Sequence, residues 1–250
     1  MYNPSMIRSA SFCLVLVLTC FSFPMSAQKA DQAKGQQNTA MLFCGDVNGV
    51  YQKSTSAQGQ EFVAPDGAHK AYVKVVAAVR KDTSSEENNC LNQTTLLANK
   101  APDGPYETVF SYAGGKDAGF GNGIQLIDWS ADSTALVADL ITWWYYSEGW
   151  EHTILVYTPK TQSVQKRSLR ELFSGTLHRE CGVEAQLAGF LQDGRLAVRT
   201  LPIPEEEGPS CVAAESWWAA DLNDFKLSHI ATNPKLQRNG HFESPERKQQ

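Results

Sequence analysis

Apolar side chains fall along this chain in short runs separated by turn residues, and rarely at the three-or-four spacing of a helix. Runs at 71–80, 93–98, 107–112, 124–129, 135–146, 153–158, 185–191, 196–201 and 215–221 are rich in Val, Ile, Thr, Tyr and Trp, whose branched or flat side chains suit a pleated surface. Between them stand Pro65-Asp66-Gly67, Pro102-Asp103-Gly104, Ala131-Asp132-Ser133 and Gln192-Asp193-Gly194. In such turns an Asp side chain bonds its own backbone across the turn, and Gly or Ser tolerates the next position. Helical periodicity is confined to 168–174, enough for two turns. The pattern predicts an all-β fold, with the β-repeat domain over 41–233. Residues 28–40 have almost nothing large to bury and predict a flexible leader; residues 234–250, polar and mildly basic, predict a frayed, disordered tail.

Strand side chains alternate between faces. Along 135–146 this puts Leu136, Ala138, Leu140, Trp144 and Tyr146 on one face and Val137, Ile141, Trp143 and Tyr145 on the other, where only Asp139 interrupts. A strand apolar on both sides predicts a sheet packed between two neighbours.

The chain also repeats itself. Ile127-Asp128-Trp129-Ser130-Ala131-Asp132-Ser133-Thr134-Ala135-Leu136-Val137 aligns with Ala188-Gly189-Phe190-Leu191-Gln192-Asp193-Gly194-Arg195-Leu196-Ala197-Val198 at an offset of 61 residues. The strands that follow correspond too, 151–157 with 214–220. A weaker copy lies upstream, with Pro65-Asp66-Gly67 ahead of 71–80 and then 107–112. Trp129, Ser130 and Asp132, and in part Phe190, Asp193 and Gly194, resemble the blade repeat of TolB-type β-propellers, which reads Trp-Ser-Pro-Asp-Gly before an apolar strand. The resemblance implies propeller-like antiparallel sheet repeats and says little about function. The 61-residue spacing exceeds the roughly 40–50 residues of a usual blade, the extra length lying around 147–150 and 202–212. Three copies fall short of the roughly four to eight blades of a closed ring. The expectation is therefore an open arc or incomplete propeller, a ring completed by a second copy, or a β-sandwich.

Composition adds compartment and excludes some functions. A chain that is 42% hydrophobic and 10% aromatic can offset its ordering entropy and is no disordered tail. A formal net charge of −5 argues against a binder of nucleic-acid backbones, which needs clustered cations. Arg8 precedes an apolar stretch over 10–23 that Pro24 breaks, and Met25-Ser26-Ala27 offers a small residue for cleavage. These features predict a signal peptide over 1–27 and a periplasmic or secreted protein with no stable membrane insertion after cleavage. Cys20 supplies the lipoprotein alternative, which Thr19 before it disfavours. The four cysteines beyond this segment, Cys44, Cys90, Cys181 and Cys211, form an even set for which disulfides are the default. Of their three pairings the local ones, Cys44–Cys90 and Cys181–Cys211, are expected. The second closes a loop of about 30 residues, worth roughly 3–4 kcal/mol by chain entropy.

Candidate chemistry is sparse. Trp143, Trp144, Tyr145, Tyr146 and Trp150 crowd into eight residues, and flat rings with polar tips suit either a core or a sugar or peptide platform. Trp143, Tyr145 and Trp150, with Glu148 beside them, are the candidate ligand-binding residues, and Trp150 after Gly149 is the ring expected at the surface. Glu148, Glu151 and His152 lack any metal-ligand spacing and predict a solvated hairpin end. The glycines over 114–123 lead into a strand, not a helix, so they predict an inter-repeat loop and no phosphate cradle. Pro204-Glu205-Glu206-Glu207-Gly208-Pro209 predicts a solvated acidic loop. Asn92-Gln93-Thr94 is a glycosylation sequon in a eukaryotic setting. Nothing predicts a metal, a cofactor or a catalytic set. The expected protein is an exported, non-catalytic binding or interaction protein of the cell envelope whose partner is an envelope protein or a glycan, with no role in nucleic-acid binding. A secreted glycan-acting hydrolase and a structural subunit completed as a homodimer are the alternatives.

Overall fold

Three successive segments of this chain fold as antiparallel meanders, because each supplies runs of strand-forming residues joined by tight turns. The computed structural model describes residues 39–40, 54–81, 88–102, 104–113, 120–144, 150–205 and 208–243, all within the unit Gln36–Gln250. After β1 (Thr39–Ala40), the first meander comprises β2 (Ser54–Gln58), β3 (Phe62–Val63), β4 (Lys70–Lys81), β5 (Asn88–Asn99) and β6 (Tyr106–Ala113). There β2 and β3 pair with successive stretches of β4. The second comprises β7 (Phe120–Trp129), β8 (Leu136–Trp144), β9 (Trp150–Thr158) and β10 (Ser163–Ser168). Helix α1 (Leu169–Leu177) leads to the third, β11 (Glu184–Leu191), β12 (Leu196–Leu201), β13 (Ser216–Ala220) and β14 (Leu227–Ile230), and the short β15 (Leu236–Gln237) and β16 (His241–Phe242) follow. The sheet orders are β16-β3-β4-β5-β6, β1-β7-β8-β9-β10 and β14-β13-β12-β11-β15, and none closes into a barrel. The expected all-β class holds. The helix expected near 168–174 is α1, capped by Ser168, whose Oγ accepts the Glu171 N–H at 3.3 Å.

The repeat seen in the sequence extends to backbone irregularities. The β7–β8 register slips between Leu126 and Asp128, and the β11–β12 register slips between Leu187 and Gly189. The extra residues, Ile127 and Ala188, stand at the 61-residue offset, so a β-bulge is part of the repeated unit. The three Asp turns also match. Asp66 Oδ1 accepts from Ala68 N, Asp132 Oδ1 from Thr134 N and Asp193 Oδ1 from Arg195 N. The residue after each Asp is left-handed: Gly67 at φ 71°, Ser133 at φ 62° and Gly194 at φ 82°. Glycine meets that demand freely; Ser133 meets it with a side chain that is itself used, its Oγ accepting the Asp66 N–H at 3.0 Å and tying the second turn to the first.

Packing follows from alternation. On one face of the second sheet Ile124, Leu126, Leu136, Ala138, Leu140, Leu155 and Tyr157 pack against Val73, Val75, Leu96 and Ala98 of the first sheet. On its other face Val137, Ile154 and Val156 pack against Leu187, Phe190, Leu196, Val198 and Trp218 of the third sheet and Leu169 and Phe173 of α1. The doubly apolar strand β8 thus belongs to a sheet covered on both sides, as its sequence predicts. Each large apolar side chain buried here contributes about 1.5–3 kcal/mol. One polar link is buried with them. Asn92 Nδ2 donates to the Asn122 carbonyl at 2.6 Å, and the Asn122 N–H returns a bond to Asn92 Oδ1 at 3.0 Å. Thr94 Oγ1 completes the set at 2.7 Å from Asn122 Oδ1. The sequon residues are therefore consumed inside the fold, Asn92 being 3% exposed, and no glycan fits there.

Three other expectations change. Gly121 and Gly123 lie within β7, not in a loop; the residues before Phe120 in that segment are outside the described set. At the N-terminal end, Thr39–Ala40, assigned to the leader, pair with Gln125 and Ile124 of β7. The segment 234–243, assigned to the tail, is ordered by pairing: Leu236 and Gln237 pair with β11, and His241 and Phe242 pair with β3. Its few apolar groups suffice because they are placed, with Phe242 stacked on Phe62 at 4.4 Å between ring centroids. Residues 1–38, and the signal-peptide expectation with them, lie outside the described set. Among the described residues no helix is long and apolar enough to cross a membrane.

Candidate functional site

Between the second and third sheets the packed core gives way to an open cleft of about 630 Å³. Antiparallel geometry decides what lines it. On β8 the face that buries Val137 continues to Asp139, Ile141 and Trp143; on β9 the same face runs from Trp150 through His152 to buried Ile154 and Val156. The second sheet thus presents Gln125, Asp139, Ile141, Trp150 and His152 to the cleft. Opposite stand Val183, Ala185 and Leu187, with Ile203 and Pro204 from the 202–212 loop, while Glu184 and Gln186 border the opening from the other face of β11, which Gln186 shares with Arg199 and Trp217.

That loop is held against β11 by the expected Cys181–Cys211 disulfide. Around the bridge the Gly182 N–H donates to the Pro209 carbonyl at 2.9 Å, and the Cys211 N–H donates to the Gly182 carbonyl at 2.7 Å. Arg179 adds a 2.7 Å bond from Nη2 to the Cys211 carbonyl. The crosslink therefore builds one wall of the cleft. Cys44 lies outside the described residues, and with it the expected Cys44–Cys90 pair.

Asp139 and His152 form the polar floor. They sit on adjacent strands at diagonal positions of one face, since Ile141 is opposite His152 and Asp139 opposite Ile154. His152 Nδ1 is 2.7 Å from Asp139 Oδ2, with side chains only 13% and 3% exposed. Asp139 Oδ1 is buried with no hydrogen-bond partner among the described residues. Burial pushes the Asp139 carboxyl up, outweighing the opposing bond and charge of His152 and the nearby Thr153 backbone amide. For His152, burial pulls the imidazole down, but the bond and charge of Asp139, with a push from Glu184, outweigh it and raise the net value. Both shifts run the same way, so the pair as a unit holds its proton to higher pH than the separated groups would. With Nδ1 committed to Asp139, Nε2 is the ring nitrogen left for a ligand. Among the described residues no group of three or more His, Cys, Asp or Glu is placed to hold a metal ion.

Of the residues singled out from sequence, Trp150 is 48% exposed at the cleft and Trp143 is buried at 5%. Trp143 acts as backing. Its ring lies over Gly121, where a Cβ would stand 2.0 Å from Trp143 Cε2, and the Trp150 ring leans on it at 5.9 Å between centroids. Tyr145 and Glu148 lie outside the described residues. Glu151, exposed, faces away toward Arg170 at 3.9 Å. His152 corrects the expectation of a solvated hairpin end, because the carboxylate of Asp139 draws it into the cleft. The sequence did mark Asp139 as the one charge on an apolar strand face. Its partner depends on the β8–β9 register, and Glu184, Gln186 and Ile203 depend on the stacking of two sheets; neither is written in local spacing. In comparisons with known proteins, no family model, no curated sequence and no solved structure matches the chain.

Proposed function

We propose that this chain is an exported binding protein of the cell envelope, built of propeller-like sheets, which holds its ligand in the cleft between the second and third sheets. The observation that carries this reading is the Asp139–His152 pair buried on the floor of the cleft beside an exposed Trp150. A buried ion pair adds little net stability compared with a packed apolar pair of similar volume, so its place on a cleft floor favours recognition over scaffolding. Export rests on the apolar stretch over 10–23 and the small-residue site that ends at Ala27. The TolB-like reading draws support from three meanders that share their Asp turn, two of them also sharing a bulge. Thermal-shift screening of the mature, oxidised protein against glycan and peptide panels tests the reading. Stabilising ligands should lose their effect in both Trp150→Ala and His152→Ala. Hits that survive both substitutions would place the site elsewhere.

The Asp139–His152 bond also favours a second reading, hydrolysis. An imidazole oriented by a buried carboxylate is a general base in waiting. The described residues lining the cleft include no Ser, Thr or Cys, so water would be the nucleophile. Turnover of a glycoside that His152→Asn abolishes while the ligand still binds would establish it; no turnover across a panel of chromogenic glycosides would remove it.

A further inference from the structure

Which ligand the cleft takes can be argued from what its walls offer and what they lack. In sheet order β8 lies between β7 and β9, β9 between β8 and β10, and β11 between β12 and β15. Among the described residues β15 reaches only Phe190 and Leu191 of β11 and β10 reaches only as far as Thr153 of β9, so 184–187 and 150–152 keep one side open to an extended peptide, which the tripeptide arm of the test below addresses. The side chains narrow the choice. Among the described residues those side chains include no Lys or Arg, while Glu184 and Asp139 are both acidic. A phosphate or other anion would lack its usual partners. A ligand ammonium would find Trp150 and Glu184, but the Asp139 carboxylate is already taken by His152 at 2.7 Å.

What remains among the described residues is one indole face backed by a second ring, the Gln125 amide, the rim carboxylate of Glu184 and one imidazole nitrogen. Gln125 donates and accepts, Glu184 accepts, and His152 Nε2 donates or accepts according to its protonation state. Hydroxyl groups need this mixture, since each is donor and acceptor at once. A pyranose ring adds an apolar face of C–H groups that matches an exposed indole. The volume of about 630 Å³ is within the usual range for small-molecule sites. Asp139, 2% exposed and bonded to His152, lies beneath the cleft floor and fixes the imidazole that faces the ligand.

We infer that the cleft binds a neutral glycan, one sugar ring stacking on Trp150 while its hydroxyls bond His152 Nε2, the Gln125 amide and, at the rim, Glu184. This rests on the proposed reading of the cleft as the ligand site. The test is calorimetric titration of the mature, oxidised protein with maltose, cellobiose and N,N′-diacetylchitobiose, and separately with choline and a pool of tripeptides. At least one disaccharide should bind. Affinity should fall at least tenfold in Trp150→Ala, recover in part in Trp150→Phe, and fall severalfold in Glu184→Gln. Trp217→Phe, on the outer face of the third sheet, should leave it unchanged. Thermal midpoints recorded alongside separate lost binding from lost folding; Trp150 is half-exposed and its removal leaves the core intact. Binding of choline or tripeptides that depends on Trp150, with no disaccharide bound, would overturn the glycan assignment and leave the cleft reading standing. Disaccharide binding indifferent to Trp150 and Glu184, or no binding of any probe, would overturn both.

Discussion

Asp128 Oδ1 accepts the backbone N–H of Gly240 at 2.9 Å, a bond between residues 112 positions apart. The same carboxylate takes the Asn239 N–H at 3.1 Å and its own neighbour Trp129 at 2.8 Å, and Asn239 Nδ2 answers with a 2.8 Å bond to the Trp129 carbonyl. Asp128 sits at the bulge of β7, which turns its side chain toward the chain's end. Since β15 pairs with β11 and β16 with β3, residues 236–243 touch β11, β7 and β3 in turn. The strap crosses all three sheets.

Cutting that strap should cost stability well beyond its length. Asp128→Ala leaves the Trp129, Asn239 and Gly240 N–H groups without their acceptor and should lower stability by about 2–4 kcal/mol in urea denaturation. Asp128→Asn, which keeps one acceptor oxygen, should lose less. Gly240→Ala sets a Cβ 2.6 Å from the Phe62 ring and 2.9 Å from the Trp129 ring and should cost about 1–3 kcal/mol by overpacking. Wild-type midpoints in these variants would show the strap to be passive.

The turn at Ser133 separates backbone strain from hydrogen bonding. Its φ of 62° costs a non-glycine residue about 1–2 kcal/mol, while its Oγ serves the Asp66 N–H. Ser133→Gly trades one against the other and should stay within about 1 kcal/mol of wild type. Ser133→Ala keeps the strain and loses the bond, and should fall about 1–2 kcal/mol below it. An alanine variant more stable than the glycine variant would refute the assignment.

Much of this architecture was legible in the chain, and the limits of legibility are physical. The repeat at offset 61 foresaw the matched turns, and the two apolar faces of 136–144 foresaw a sheet covered on both sides. Strand β10, Ser-Val-Gln-Lys-Arg-Ser, escaped notice because an edge strand buries one face at most and Val164 is its sole apolar residue. The strap escaped because Leu236 and Phe242 are few, and order there comes from Asp128, a residue 111 positions away from Asn239. At the cleft, exposed Trp150 was anticipated and Asp139 was noticed as an interruption. The bond from Asp139 to His152 is a property of cross-strand register that no spacing along one strand reveals.

Proton linkage at the cleft has a definite sign. The folded-state value of His152 is raised, chiefly because the Asp139 bond and charge overcome the downward pull of burial. Its contribution is therefore fully present below the unfolded imidazole value of about 6.5 and is lost as pH rises through the higher folded value. Buried Asp139 is also raised and adds the same sign. Glu184 on β11 is the other charged group acting on the ring, and it supports the cation. Thermal midpoints measured from pH 6 upward should fall in the wild type relative to His152→Gln, whose curve should be flatter. A wild-type curve rising relative to the variant would reverse the assignment.

The central claim is that Asp139 and His152 stay in this sheet face for the cleft and not for the fold. Urea denaturation at pH 7 of the Asp139→Val/His152→Leu double variant, beside His152→Leu alone, tests it most directly. The single variant strands a buried carboxylate and should lose about 3–5 kcal/mol, whereas the double variant, with an apolar face restored, should match or exceed the wild type while losing ligand-induced stabilisation. A double variant as unstable as the single one would mean that the pair holds the sheets together, and the cleft would lose its claim to be the site.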